Sequence, residues 1–393
     1  MKIIQACCLK AKKFLSSQNF VVTLHQICKH LLFDLMNKFF GFLAMGVIAL
    51  TSCSEAVKQD AEQPWIVDRF DDIKVIRYEV PGFENLTLQE KEYVYYLSEA
   101  AKCGRDILFD QNFKYGLAIR RTFETIYTDA RNTAEAESAE FKAFEKYLKK
   151  MWFANGIHHH YSNDKFTPEF SEPWFREQLA LYINDDNRQM DEELLCRIIF
   201  DKEFYASRLN QKAGVDVITA SANNYYEGVN QEEVEAFYAA MAAADEGNPE
   251  PISYGLNSKL VKKNGKIYEQ TYKIGGMYSE ALEQVVYWLE KAEAVAEEPL
   301  KTTIGLLIKF YRSGDLKDFD AFNISWVQDT QSNIDFVNGF TETYGDPLGF
   351  KASWESVVNF IDKAACARTQ TISENAQWFE DNAPIKPEYR KPV

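Results

Sequence analysis

The sequence predicts an α+β protein, mostly helical, and three observations carry that reading. Capping signals open amphipathic runs at Thr87-Leu88-Gln89-Glu90 and Asn230-Gln231-Glu232-Glu233. Asn264-Gly265 separates two strand-like runs late in the chain, the strongest short hairpin signal a sequence offers. The 393 residues show no regular alternation of strands with helices, which argues against a doubly wound parallel sheet.

Each element has its own justification. After the Thr87 capping box, Val94, Leu97 and Ala101 recur at spacings of three and four, which predicts a helix to about Gly104. Phe141, Phe144, Leu148 and Met151 form one face of a second helix, which stops at Asn155-Gly156 because these residues accept the left-handed cap conformation. Val234, Phe237, Tyr238 and Met241 line the helix opened by Asn230. Lys259–Lys263 and Lys266–Tyr272 flank the Asn-Gly turn and form the hairpin. Ser279 opens a helix carrying Leu282, Val285, Val286 and Leu289, and Ile304, Leu307, Ile308 and Tyr311 carry the next as far as Ser313-Gly314. Trp354, Ser356, Val358 and Phe360 alternate with Glu355, Val357, Asn359 and Ile361, the period of a strand.

With 46% hydrophobic, 14% aromatic and 26% charged residues, the chain has the composition of a protein with a sizeable core, not of a disordered or multi-span membrane protein. Charge is uneven. Residues 1–53 hold six lysines and one acid of a chain with 44 cationic and 59 acidic side chains, so the remainder carries −20. So acidic a body is unsuited to nucleic acid, which needs clustered cations.

Met36-Asn37-Lys38 precedes twelve apolar residues, Phe39 to Leu50, that run into Thr51-Ser52-Cys53. A charged start, a short apolar run and small residues before a cysteine resemble a bacterial lipoprotein signal, too short to span a bilayer comfortably. The expected organisation is therefore an upstream segment 1–35 arising from a misassigned start, a signal peptide 36–53 with lipid on Cys53, a tether 54–66 and a body 67–393. The expected location is the bacterial cell envelope, periplasm or outer membrane, with the membrane reached through the lipid. Cys103, Cys196 and Cys366 of the body form no disulfide framework or metal knuckle; Cys103 and Cys366 read as small core residues.

Three segments are candidates for chemistry. His158-His159-His160 looks like a metal site, but adjacent side chains point to different sides, and no acid or thiol is fixed beside them. A structural or substrate-lining role is favoured over metal, and no metal ligand is assigned. Ser221–Gly228 concentrates polar and aromatic groups that suit a cleft wall or a capped connection. In Gly339–Gly349, Glu342 and Tyr344 lie two apart and share a face if the chain is extended, offering a carboxylate for an ammonium and a phenol for an oxyanion. Asp346-Pro347 and the glycines mark a turn there as the alternative. The H-E-x-x-H, Walker, dinucleotide and G-x-S-x-G motifs are absent from the 393 residues.

Phe340-Thr341-Glu342-Thr343-Tyr344-Gly345-Asp346-Pro347 resembles the substrate segment of the dipeptidyl peptidase III family of zinc exopeptidases, especially its Bacteroidetes branch. Trp152–Tyr161, Asp164–Pro168, Tyr254–Lys259 and Lys351–Ser356 resemble the same branch, and the likeness runs from about Trp65 to the carboxyl terminus. It implies the lower lobe of a two-lobed peptidase, with a small, incomplete β-barrel among the helices. It implies oligopeptide substrates that lose dipeptides from their amino termini, Glu342 holding the free amino group, Tyr344 stabilising the oxyanion and Tyr161 lining the cleft. The family's zinc motif, H-E-x-x-G-H, does not occur in these 393 residues. Zinc is thus a cofactor of the full-length family and is not expected on this chain, which alone is expected to be inactive. The alternative is a non-catalytic peptide-binding lipoprotein.

Overall fold

The computed structural model describes residues 65–392. The chain begins with a hairpin of β1 (Ile66–Phe70) and β2 (Ile73–Ile76), paired antiparallel. A helical region follows: α1 (Leu88–Cys103), α2 (Arg105–Asn112), α3 (Gly116–Ala130), α4 (Ala139–Ala154), α5 (Glu172–Tyr182) and α6 (Glu192–Phe200). The Thr87 box closes in both directions, with Thr87 Oγ accepting from Glu90 N and Glu90 Oε2 accepting from Thr87 N. Asn155, at φ 52°, ends α4 in the left-handed conformation.

Next come β3 (Tyr226–Glu227), α7 (Gln231–Ala244), β4 (Ser258–Lys263), β5 (Lys266–Thr271), α8 (Ser279–Val295), α9 (Leu300–Ser313) and α10 (Leu316–Gln328). Asn264 and Gly265 turn the β4–β5 hairpin with φ of 52° and 76°, as a two-residue turn matched to strand twist requires. The chain closes with β6 (Ile334–Glu342), β7 (Ser353–Phe360), α11 (Lys363–Glu374) and α12 (Ala376–Asp381). The mixed α+β class and the late strands thus match the sequence reading.

The small β-barrel implied by the resemblance is not formed by the described residues. Their strands make three separate sheets, β1-β2, β3-β4-β5 and β6-β7, whereas a barrel needs its ladder to close on itself. Cys366 also departs from expectation. It is exposed, because α11 has no buried residue; Cys103 does pack against the core, beside α1 residues such as Leu97.

Three apolar clusters fill the body. One joins α1, α8, α9 and α10 to the inner faces of β6 and β7, with Phe340 and Trp354 in van der Waals layers beneath the strands. A second, rich in phenylalanine, is built by α2 to α6. A third lies between α7 and β4, with Leu348 and Phe350 packed on it. The connection from β6 to β7 therefore runs between clusters. Its exit is fixed by α2, where the buried amide of Gln111 donates to Ala352 O at 3.0 Å and accepts from Trp354 N at 2.8 Å. Close approach sets Gly104, since a Cβ there would lie 1.8 Å from the Trp354 indole.

Candidate peptide-binding site

Glu342 is the last residue of β6, opposite Ser353, and a bulge interrupts the ladder between Phe340 and Glu342. Bulges re-aim side chains at sheet ends, and the Glu342 side chain is exposed. Ser353 Oγ donates to its carbonyl at 3.1 Å. Tyr344 is 73% exposed and begins a turn. The extended run that would put Glu342 and Tyr344 on one strand face therefore ends at Glu342; two exposed side chains flank the strand-to-turn junction.

The floor of that turn is polar and buried. Asp346, 3% exposed, accepts from Tyr226 OH at 2.7 Å, Phe350 N at 2.8 Å and Lys351 N at 2.9 Å through Oδ2, and from Leu348 N at 3.3 Å through Oδ1. Burial raises its carboxyl above the ordinary value, and the Tyr226 hydroxyl and the loop amides pull it back. Lys351, wholly buried, donates to Tyr238 OH and, at 2.9 Å, to Ser258 Oγ; Glu269 lies 3.6 Å away. Burial pushes its ammonium down to about 8, opposed by the charges of Glu269 and Asp346. From outside, Asn223 Nδ2 donates to Gly345 O at 3.0 Å and Gln211 Nε2 to Pro347 O at 3.2 Å.

Tyr161 stands on a different segment, 84% exposed, its ring centroid 4.4 Å from that of His160. Arg208 joins this segment to the first. Its guanidinium donates to Asn163 Oδ1 at 2.8 Å, Asn112 Oδ1 at 3.1 Å and His160 O at 3.3 Å, and its carbonyl accepts from Asn223 N at 3.2 Å. Asn223 in turn grips Gly345, next to Tyr344. Burial lowers the Arg208 pKa, while the nearby phenols of Tyr225 and Tyr344 oppose that shift. Tyr161 and Tyr344 are thus connected through Arg208 and Asn223.

The three imidazoles separate. His158, 2% exposed, points its Nε2 at Tyr205 O, 2.9 Å away, and meets the Phe113 ring edge-on; burial brings its pKa down to about 4. His159 Nδ1 accepts from the backbone of Tyr161 and Ser162 at 3.2 and 3.1 Å, and His160 stacks on it. These are structural duties that shape the Tyr161 turn. Among the described residues no group of three or more His, Cys, Asp and Glu could hold a metal ion, so they do not fit a zinc site. Cys53 lies outside the described residues.

The residues missed by sequence reasoning are the ones beneath the surface. Tyr226 and Asn223 fall in the polar, aromatic stretch 221–228 already singled out, and Lys351 opens the stretch 351–356 that carries part of the resemblance, but its burial, like the roles of Arg208 and Gln111, has no local pattern. Only tertiary pairing makes them part of the site.

A model of peptidase family M49 matches residues 211–393, which include the β4–β5 hairpin and the Glu342–Tyr344 segment. Dipeptidyl peptidase 3 of Homo sapiens is 25% identical over 158 residues, 39% of this chain and 21% of the human protein. Dipeptidyl peptidase 3 of Dictyostelium discoideum is 20% identical over 330 residues, 79% of this chain and 47% of its own. DPP III from Caldithrix abyssi shares the fold, with a TM-score of 0.53 at 19% identity over 80% of this chain and 47% of that one. The matches thus span from a fifth to about half of those relatives' length. The family model over residues 211–393 and the partial matches to dipeptidyl peptidase 3 support a relationship of this chain to the dipeptidyl peptidase III family, peptidase family M49, and the solved structure shows a common fold.

Proposed function

We propose that this chain supplies the peptide-holding wall of an exported zinc exopeptidase that removes dipeptides from the amino termini of oligopeptides. The observation that carries the reading is the exposure of Glu342 and Tyr344 at the end of β6, above a turn anchored by a buried carboxylate. Glu342 holds the ammonium of the peptide as an ion pair. Tyr344 donates a hydrogen bond from its phenol to the scissile carbonyl as charge develops there, a contribution of about 3 kcal/mol for a well-placed donor. Tyr161 lines the opposite wall. The described residues offer no zinc set, and the 393 residues lack a His-Glu dipeptide. The chain on its own therefore binds peptide without cleaving it, and residues 36–53 direct it to the cell envelope with lipid on Cys53.

Isothermal titration of the 393-residue chain with a tetrapeptide tests the reading. Heat that disappears for Glu342→Ala is expected, and no heat at millimolar wild-type protein and peptide would overturn it. Dipeptide release, assayed alongside with added zinc, is expected to be nil; measurable release would show a catalytic set that this reading does not contain. Labelled palmitate should enter the wild-type chain in a bacterial host and not a Cys53→Ser variant.

A further inference from the structure

The segment that displays Tyr344 has little apolar packing at its tip. Tyr344 and Gly349 are exposed, and apolar anchoring comes only from Leu348 and Phe350 on the α7–β4 cluster. Surface loops of this kind are ordinarily mobile, whereas a phenol that must meet one carbonyl oxygen has to be held to within about half an ångström. Two side-chain amides grip this loop from outside, Asn223 at Gly345 O and Gln211 at Pro347 O, and the largest set of its hydrogen bonds converges on one side chain. Asp346 takes four donors, three from the loop's own backbone at Leu348, Phe350 and Lys351 and one from Tyr226 of β3. The loop is thereby folded round a single carboxylate and tied to a neighbouring sheet. Lys351 closes the far end by placing its ammonium on Tyr238 and Ser258, residues of α7 and β4.

We propose that Asp346 is the positioning residue of the peptide site: the buried carboxylate fixes the Thr343–Lys351 loop on the β3–β4–β5 sheet through Tyr226 and so holds Tyr344 where a bound peptide presents its carbonyl. The inference rests on the reading of Glu342 and Tyr344 as peptide-holding groups. Asp346 itself touches no substrate. Its role is distinct from general stability because its partners are loop amides and one hydroxyl, not the apolar layers beneath β6 and β7. The arrangement also predicts a graded response. Asp346→Asn removes the charge and turns one acceptor into a donor that faces another donor, while Tyr226→Phe removes a single donor and leaves the carboxylate in place.

The test uses the 393-residue chain, with hydrogen–deuterium exchange read residue by residue and tetrapeptide affinity read by titration. For Asp346→Asn, the amides of 348–351 should exchange about tenfold faster and peptide affinity should fall by about tenfold, with α9 exchange unchanged; Tyr226→Phe should change both by about threefold. Loop exchange at the wild-type rate in Asp346→Asn would overturn the proposal. So would wild-type affinity in a variant whose loop has loosened. If Asp346→Asn speeds exchange across α9 as well, Tyr226→Phe decides: a selective change in the loop and in affinity supports the proposal, and wild-type behaviour sinks it. A wild-type chain that binds no peptide removes the functional reading and this inference together, whereas wild-type binding untouched by either variant removes the inference alone.

Discussion

The β6–β7 loop and the helices α11 and α12 both set aromatic rings at the surface, but they are supported differently. Tyr344 stands over the buried Asp346 and Lys351 and the half-buried Tyr226, a floor of polar groups with matched partners. Trp378 and Phe379 of α12, 59% and 52% exposed, have no buried residue on their own helix or on α11. The difference teaches how to read exposure. Buried polar groups are costly unless satisfied, so a loop that keeps several of them in order beneath one exposed phenol gives that phenol a defined setting. Rings on a helix without such a floor mark an apolar surface and nothing more specific.

The largest contrast should come from two tryptophans. Trp354 lies under β7, its ring packed against Phe340 and Tyr311, and Trp354→Ala should cost about 3–5 kcal/mol in urea unfolding. Trp378→Ala should change stability by less than about 0.5 kcal/mol. Equal losses would erase the distinction between the two regions.

A second effect sharpens the picture of the floor. Burial brings the Lys351 ammonium down to about 8 from an unfolded value of 10.5. Between those values the unfolded chain holds a proton that the folded chain has released, so stability should rise with pH across that window. Below pH 8 both states are protonated and the penalty is constant. The integrated rise is at most about 3 kcal/mol, and comparing unfolding free energies at pH 7.5 and 10.5 for wild type and Lys351→Met would reveal it. The same slope in both proteins would assign the rise to other groups.

Smaller still is the expected effect of Glu342→Ala on the fold. Its side chain is exposed, so stability should stay within about 0.5 kcal/mol of wild type while tetrapeptide heat is lost. A large drop in melting temperature would move Glu342 from the cleft to the scaffold. Last, Ile372→Ser with Trp378→Ser should lower concentration-dependent light scattering without shifting the melting transition, because both side chains are exposed.

The fold was legible in the sequence wherever the signal is local. Thr87, Asn230 and Asn264-Gly265 announce their elements through caps and turns that need only neighbouring residues. β3 could not be found this way, since two residues, Tyr226 and Glu227, become a strand only by pairing in parallel with Leu260 and Val261. Cys366 was misplaced because Ala364-Ala365-Cys366-Ala367 looks like a core stretch, yet α11 has nothing packed over it. The site divides in the same manner. Glu342 and Tyr344 stand out in a short segment, while Arg208 gains its meaning from Asn163, Asn112 and His160, residues 45 or more positions away.

The amide of Gln111 has one further consequence. By offering one donor and one acceptor to residues 352 and 354, it imitates the peptide group of an adjoining strand, although it projects from a helix. The entry to β7 is therefore gauged against α2 as well as against β6, and the two measures must agree. A residue inserted between Thr343 and Lys351 has no slack to enter at the exit, because slippage by one position would offer the Gln111 carbonyl and amide to the wrong groups. Any change in the length of this segment has to be accommodated outward at its tip, so the part of the segment open to variation in length is its exposed turn around Tyr344 and Gly349.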